Sequence, residues 1–130
     1  MGVRFPGVSS TVIQNATMTQ GAEVVVATTP LLILPLDNAL VYIMASILFA
    51  VGSTSSTYTP RFRRGTTTAG TQINTTQTPN CTATQGVNTY LHYVDVPGAV
   101  GQIQYSLTMA MAAGGTNSTC LDVCISAFVL

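Results

Sequence analysis

Residues Ala39 to Val51, ALVYIMASILFAV, are uncharged, and both of their alternating sets of positions are apolar. In an extended chain one set is Ala39, Val41, Ile43, Ala45, Ile47, Phe49 and Val51. The other is Leu40, Tyr42, Met44, Ser46, Leu48 and Ala50. A strand with one face in water shows polar residues at every second position, and this one does not. Both faces need cover, from lipid, from the rest of the chain, or from another copy of it.

Lipid is the weakest of the three. As a helix, the run rises about 20 Å against a hydrocarbon core of about 30 Å. Extension back to Leu31 reaches membrane length but takes in Pro35, Asp37 and Asn38. An Asp deep in a membrane helix costs about 2.5–3.5 kcal/mol. Pro-Leu-Asp-Asn reads as a turn, and no basic residue flanks the run to orient it. A long β-strand is expected instead, rich in the Val, Ile, Tyr and Phe that suit one.

A chain of 130 residues is long enough for one domain with a real core. Only 6% of residues are charged, and none is Lys. Ordinary domains carry about 25%. Disorder goes with high charge and few apolar residues, so it is not expected. Low charge with 47% hydrophobic residues points to surface hidden in an assembly. The N-terminus, MGVRFPGVSS, has no apolar signal run, and Pro6 stands where myristoylation wants Ser or Thr. Assembly inside a cell, or removal of a signal before the numbering begins, is expected.

Along the chain, residues 1–7 read as an arm and Val8–Met18 as a first strand. Together with the following turn they make an N-terminal unit, 1–20, ahead of a β-sandwich domain, 21–130. Further strands are expected at Glu23–Thr28, which Thr29-Pro30 bends and Leu31–Leu34 resumes, and at Ala39–Val51, Thr57–Arg64, Thr67–Thr75, Val87–Val96, Gln102–Met111 and Leu121–Leu130. Pro30 and Pro35 belong at bends or edges because proline cannot donate to a ladder. The last strand is expected to turn Leu121, Val123, Ile125, Ala127 and Val129 to the core. No stretch shows a capped helical period. The expectation is an all-β, single-domain, jelly-roll-like β-sandwich of about eight antiparallel strands.

Catalysis has little to work with. His92 and Asp95 differ by three on one strand and point to opposite faces. No nucleophile elbow, phosphate loop or dinucleotide fingerprint is present. The cysteines, Cys81, Cys120 and Cys124, lack paired zinc spacing. Cys120 and Cys124 are about 13 Å apart along a strand, so a disulfide would need Cys81 as one partner, and three thiols is the alternative. No catalytic residue, metal or cofactor is expected. Arg61, Arg63 and Arg64 could form an anion patch or an R-x-R-R cleavage site, but ion pairing with Asp or Glu of a neighbouring strand or subunit is favoured. Zero formal net charge does not support nucleic-acid binding. Asn15, Asn74, Asn80 and Asn117 each open an N-x-S/T triplet, and the sequence leaves their glycosylation open.

Three segments together carry a resemblance: TTPLLILPLDNALVYIMASILFAV, then TYTPRFRRGTTTAGTQI, then YVDVPGAVGQIQYSLTMAMAAGGTNST, with a final strand after them. From Glu23 onward the chain resembles small jelly-roll structural proteins of bacteriophages and other viruses, which decorate or cement capsids or form fibre and spike heads. The resemblance implies homotrimers that pack apolar sheet faces around a threefold axis, a place on the capsid surface of a virion, and other virion proteins as partners, with no membrane contact. The assembly interface is expected at Val41, Ile43, Ile47, Phe49, Tyr105, Leu107 and Met109. Two alternatives are a cell-surface filament or pilus subunit joined by strand donation and a carbohydrate-binding jelly roll.

Overall fold

The structure, a computed structural model, describes residues 8–35, 37–74, 80–98, 100–114 and 118–130, with 8–15 and 80 as backbone. The expected arm at residues 1–7 lies outside these, as does Asn117. The alternating apolar runs form ten strands: β1 Val8–Met18, β2 Glu23–Thr28, β3 Leu32–Leu34, β4 Val41–Ala50, β5 Ser56–Arg64, β6 Asn80–Cys81, β7 Gly86–Asp95, β8 Gly101–Ile103, β9 Tyr105–Met111 and β10 Ser118–Val129. The Ala39–Val51 run is therefore strand β4, and no helix among the described residues is long and apolar enough to cross a membrane.

Two of the strands are interrupted rather than separate. Pro30 breaks the ladder between β2 and β3, and Gln104 breaks it between β8 and β9. Thr29 bridges the gap: its N–H donates to the Tyr105 carbonyl (2.8 Å), and its Oγ1 accepts from the Tyr105 N–H (3.0 Å). Read as continuous bent strands, β2–β3 and β8–β9 reduce ten to eight, with β6 in place of the expected Thr67–Thr75 strand. Their pairing is nested: first with last (β1 with β10), second with seventh (β2–β3 with β8–β9), third with sixth (β4 with β7), fourth with fifth (β5 with β6). This is one long antiparallel hairpin. It is rolled so that β10 also pairs with β4, and β9 with β5. Two four-stranded sheets result, β1-β10-β4-β7 and β2-β9-β5-β6, with β3-β8 continuing the second as a flap. That arrangement is a jelly roll.

The core lies between the sheets. Along β4 the residues alternate, with Val41, Ile43, Ala45, Ile47 and Phe49 buried and the residues between them half-buried or exposed. Val123, Ile125 and Ala127 of β10 lie beside them in the same sheet, and Tyr58 and Phe62 of β5 with Tyr105, Leu107 and Met109 of β9 close over them from the other. Val41, Ile43, Ile47, Phe49, Tyr105, Leu107 and Met109 are all 0–1% exposed within a single chain. The sequence-based assignment of these seven to an interface is corrected. Alternate positions on the central strands of two facing sheets bury one another, and nothing of them is left for a second copy.

Three strand expectations are also corrected. Leu121 is 40% exposed, because the β10–β4 register shifts between Cys120 and Asp122 and the bulge turns Cys120 inward in its place. Of the Thr67–Thr75 stretch, the described residues make bends and turns with a single bridge, Gln72 to Arg63. Gln102–Met111 is two strands.

The two faces of β4 predict different mutational costs. Phe49→Ala should lower stability by about 3–5 kcal/mol. Met44→Ala, at a residue 44% exposed on the other face, should stay within about 0.5 kcal/mol. Urea unfolding of both variants measures this.

Candidate functional site

Strand β5 ends in Arg61, Phe62, Arg63 and Arg64, and strand alternation sends Arg61 and Arg63 to the outer surface of their sheet. Glu23, at the start of β2, reaches both across the intervening β9. Arg63 donates through Nε (2.8 Å) and Nη2 (3.0 Å), a two-point grip, while Arg61 Nη1 lies 3.1 Å away. The Thr108 hydroxyl of β9 donates to the same carboxylate, and Arg63 Nη1 also bonds the Gly70 carbonyl (2.8 Å). Gly70 lies so close to the Arg64 carbonyl that a Cβ there would collide with it, so this return of the chain onto β5 requires glycine. Burial alone would raise the Glu23 pKa. The hydrogen bonds from Arg63 and Thr108 and the charges of Arg63 and Arg61 outweigh it and hold the carboxyl below its usual range.

Arg64 instead turns to the end of the core. Its Nη2 and Nε meet Asp95 Oδ1 (2.6 Å) and Oδ2 (2.9 Å), and the Tyr105 hydroxyl donates to Oδ2 (2.8 Å). The hydrogen bond to Asp95 raises Arg64, and burial raises Tyr105, helped by its bond to Asp95. At the other end of β5, the Tyr58 hydroxyl and Ser118 Oγ are 2.7 Å apart, and Gly52 N–H donates to the same Ser118 oxygen (3.1 Å). The two sheets are thus joined by polar contacts at both ends of one strand. The ion pairing expected for Arg61, Arg63 and Arg64 is what the structure contains, all of it within one chain. It leaves no set of open cations for an anion patch and locks the R-x-R-R stretch in a paired strand.

The second feature is the outer face of the β1-β10-β4-β7 sheet. Cross-strand pairing places Tyr42 beside Phe128 and Val94, Met44 beside Ser126 and His92, and Ser46 beside Cys124 and Tyr90. Tyr42 stacks with His92 at 6.3 Å between ring centroids and lies 6.4 Å from Phe128. A shallow groove of about 280 Å³ runs among Tyr42, Met44, Tyr90, His92, Cys124 and their neighbours. Its chemistry is apolar and aromatic with hydroxyls at the margin. Cys124 and His92 share it, but they sit two strands and two register positions apart, about 10 Å or more, too far for a nucleophile–base pair. His92 faces out and Asp95 is buried, as their spacing predicts. No group of His, Cys, Asp or Glu among the described residues has metal-site geometry. Of this face, the sequence showed only the even-numbered apolar set of the Ala39–Val51 run, with Tyr42 and Met44 in it. Its placement beside Tyr90, His92 and Phe128 depends on strand order.

All three cysteines are thiols, so the disulfide reading through Cys81 does not hold. Cys81 and Cys120 are buried and Cys124 is half-buried. Burial raises the Cys81 thiol and pushes Cys120 up to about 12. Asn74 is also buried, and its Oδ1 accepts the Phe62 N–H (2.8 Å), so its side chain serves the β5 edge rather than presenting a glycan.

No protein-family model matches the chain, and no curated protein matches it. Solved structures do. The chain superposes on a structure of infectious bursal disease virus Gx strain with a TM-score of 0.62 at 10% identity, covering 93% of this chain and 33% of that one. On the T13 particle of the same virus the values are 0.67, 8%, 95% and 31%. On a mutant VP2 protein of that virus in T=1 particles they are 0.61, 9%, 94% and 32%. The likeness is one of fold, the jelly roll. The chain spans about a third of the length of the chains it matches.

Two measurements check this geometry. The Glu23 carboxyl has a lower pKa folded than unfolded, so its contribution is complete above the ordinary carboxylate range and is lost as pH falls through the folded value. Glu23→Gln should melt below the wild type at about pH 7, with the gap closing as pH falls below the ordinary carboxylate range. Thiol titration of the native protein should label Cys124 first, with Cys81 and Cys120 reacting only on unfolding and all three then counted.

Proposed function

We propose that this chain is a non-enzymatic structural component of a virion, a capsid jelly roll that acts by packing against copies of itself and against other virion proteins. The observation that carries the reading is the nested eight-strand topology, superposable over 93–95% of the chain on proteins of viral particles. The charge distribution supports it. The arginines of β5 are neutralised inside the chain, while the outer face of the β1-β10-β4-β7 sheet carries Tyr42, Met44, Tyr90, Val94 and Phe128 at strand-neighbour spacing. A face of that composition suits a protein surface better than water.

Within this reading the chain is a decoration or cement subunit at the capsid surface that forms a homotrimer. The trimer contact is the outer face of that sheet, in place of the core positions the sequence suggested. A carbohydrate-binding role has less support, since no Asp or Asn lines the groove; Asn88 and Asp122 lie one outward position beyond it.

Light scattering coupled to size exclusion tests the oligomer: a detergent-free trimer is expected for the wild type and a monomer for Met44→Asp. Electron microscopy of the chain mixed with, or expressed beside, candidate shells should show it in closed icosahedral particles. Open fibres with residues 1–20 inserted in a neighbour would instead support the filament subunit.

A further inference from the structure

Strand β7 ends its sheet. It pairs only with β4, and among the described residues no backbone hydrogen bond reaches its other side. A ten-residue open edge offers a row of N–H and C=O groups to any other strand, and proteins ordinarily blunt such edges with Lys, Pro or a bulge. β7 has none of these: its sequence, GVNTYLHYVD, contains no Lys, Arg, Glu or Pro, and its ladder to β4 runs without a register shift, whereas those of β10 with β4 and β2 with β9 do shift. Its one charge, Asp95, is buried and held by Arg64 and Tyr105.

The side chains along this edge are also incompletely covered. Inward positions of β4 are at most 4% exposed, yet across the ladder Leu91 is only half-buried and Tyr93 is 37% exposed. Among the described residues the facing sheet ends in the two-residue strand β6. On the outer side Tyr90 is 77% and Val94 44% exposed. Apolar surface therefore flanks the unpaired backbone on both faces.

We infer that β7 is an assembly edge whose open side pairs antiparallel with the β7 of a second copy across a two-fold axis near Leu91. Antiparallel pairing of identical strands is self-complementary. The same residues serve both sides, inner positions meet inner positions, and no like charges face each other because the two Asp95 residues lie at opposite ends. About 34 Å of ladder with its flanking side chains makes an interface at the small end of the specific range, below about 1,200 Å² in total. Single contacts of that size are weak and gain strength from repetition in an assembly. The inference does not depend on the virion reading.

Sedimentation velocity over a concentration series tests it, on the wild type, Tyr90→Lys and Tyr93→Lys, with circular dichroism confirming the fold of each. Both variants should need a roughly tenfold higher concentration to associate through this edge. Amides of 86–95 should exchange more slowly as wild-type concentration rises, and not in the variants. Tyr93 lies off the outer sheet face, so a contact made by that face responds to Tyr90→Lys alone, and that result overturns the inference. A wild type whose β7 amides exchange independently of concentration, or one that forms open-ended polymers, overturns it too. A Tyr93→Lys chain that stops at a trimer supports both this edge and the threefold contact; one that stops at a monomer supports the edge and counts against the trimer.

Discussion

The constraint on which the rest depends is backbone pairing at long range. With no helix among the described residues, the hydrogen bonds of each strand go to segments far away in the chain: Val8 pairs opposite Phe128, and Val41 opposite both Val129 and Asp95. β4 is the centre of this arrangement, held by β10 on one side and β7 on the other. Once those ladders form, its inward set must meet β5 and β9, and the core follows from the alternation.

The sandwich is held at its ends by polar contacts between the sheets. Asp95 on β7 is fixed by Arg64 of β5 and Tyr105 of β9, and Tyr58 of β5 meets Ser118 of β10 at the opposite end. Each places the hydroxyl of a large, fully buried aromatic at the rim of the core, where it has a partner. The Glu23 cluster plays a different part. It sits on an outer face and ties β2, β9 and β5 within one sheet, so acid that weakens it loosens a sheet without opening the core.

Self-association and fold place opposite demands on the same strands. Every inward apolar position of the central strands is used within the chain, which leaves association to the outer face and to β7. The outer face is uncharged over most of its width, while β7 combines an open backbone with the half-buried or exposed side chains of Tyr90, Leu91, Tyr93 and Val94. A protein with only four basic and four acidic residues has few charges with which to blunt such surfaces, and those of β5 are spent on internal pairs.

Much of the architecture was legible beforehand because strand alternation is a local signal. Val8–Met18 and Glu23–Thr28 form as expected, and the other principal strands differ by a few residues at their ends. The opposite orientations of His92 and Asp95 and the shared face of Arg61 and Arg63 needed only a period of two. What the sequence could not supply was which apolar set of β4 turns inward, since both sets are apolar and only the position of β5 and β9 decides between them. Nor could it show the bulge that exchanges Cys120 for Leu121, the Gln104 break, or the partners of the arginines. Composition and period determined an all-β sandwich with little charge. The nested pairing of distant strands decided which residues are core and which are surface, because burial belongs to two sheets together and not to any one of their strands.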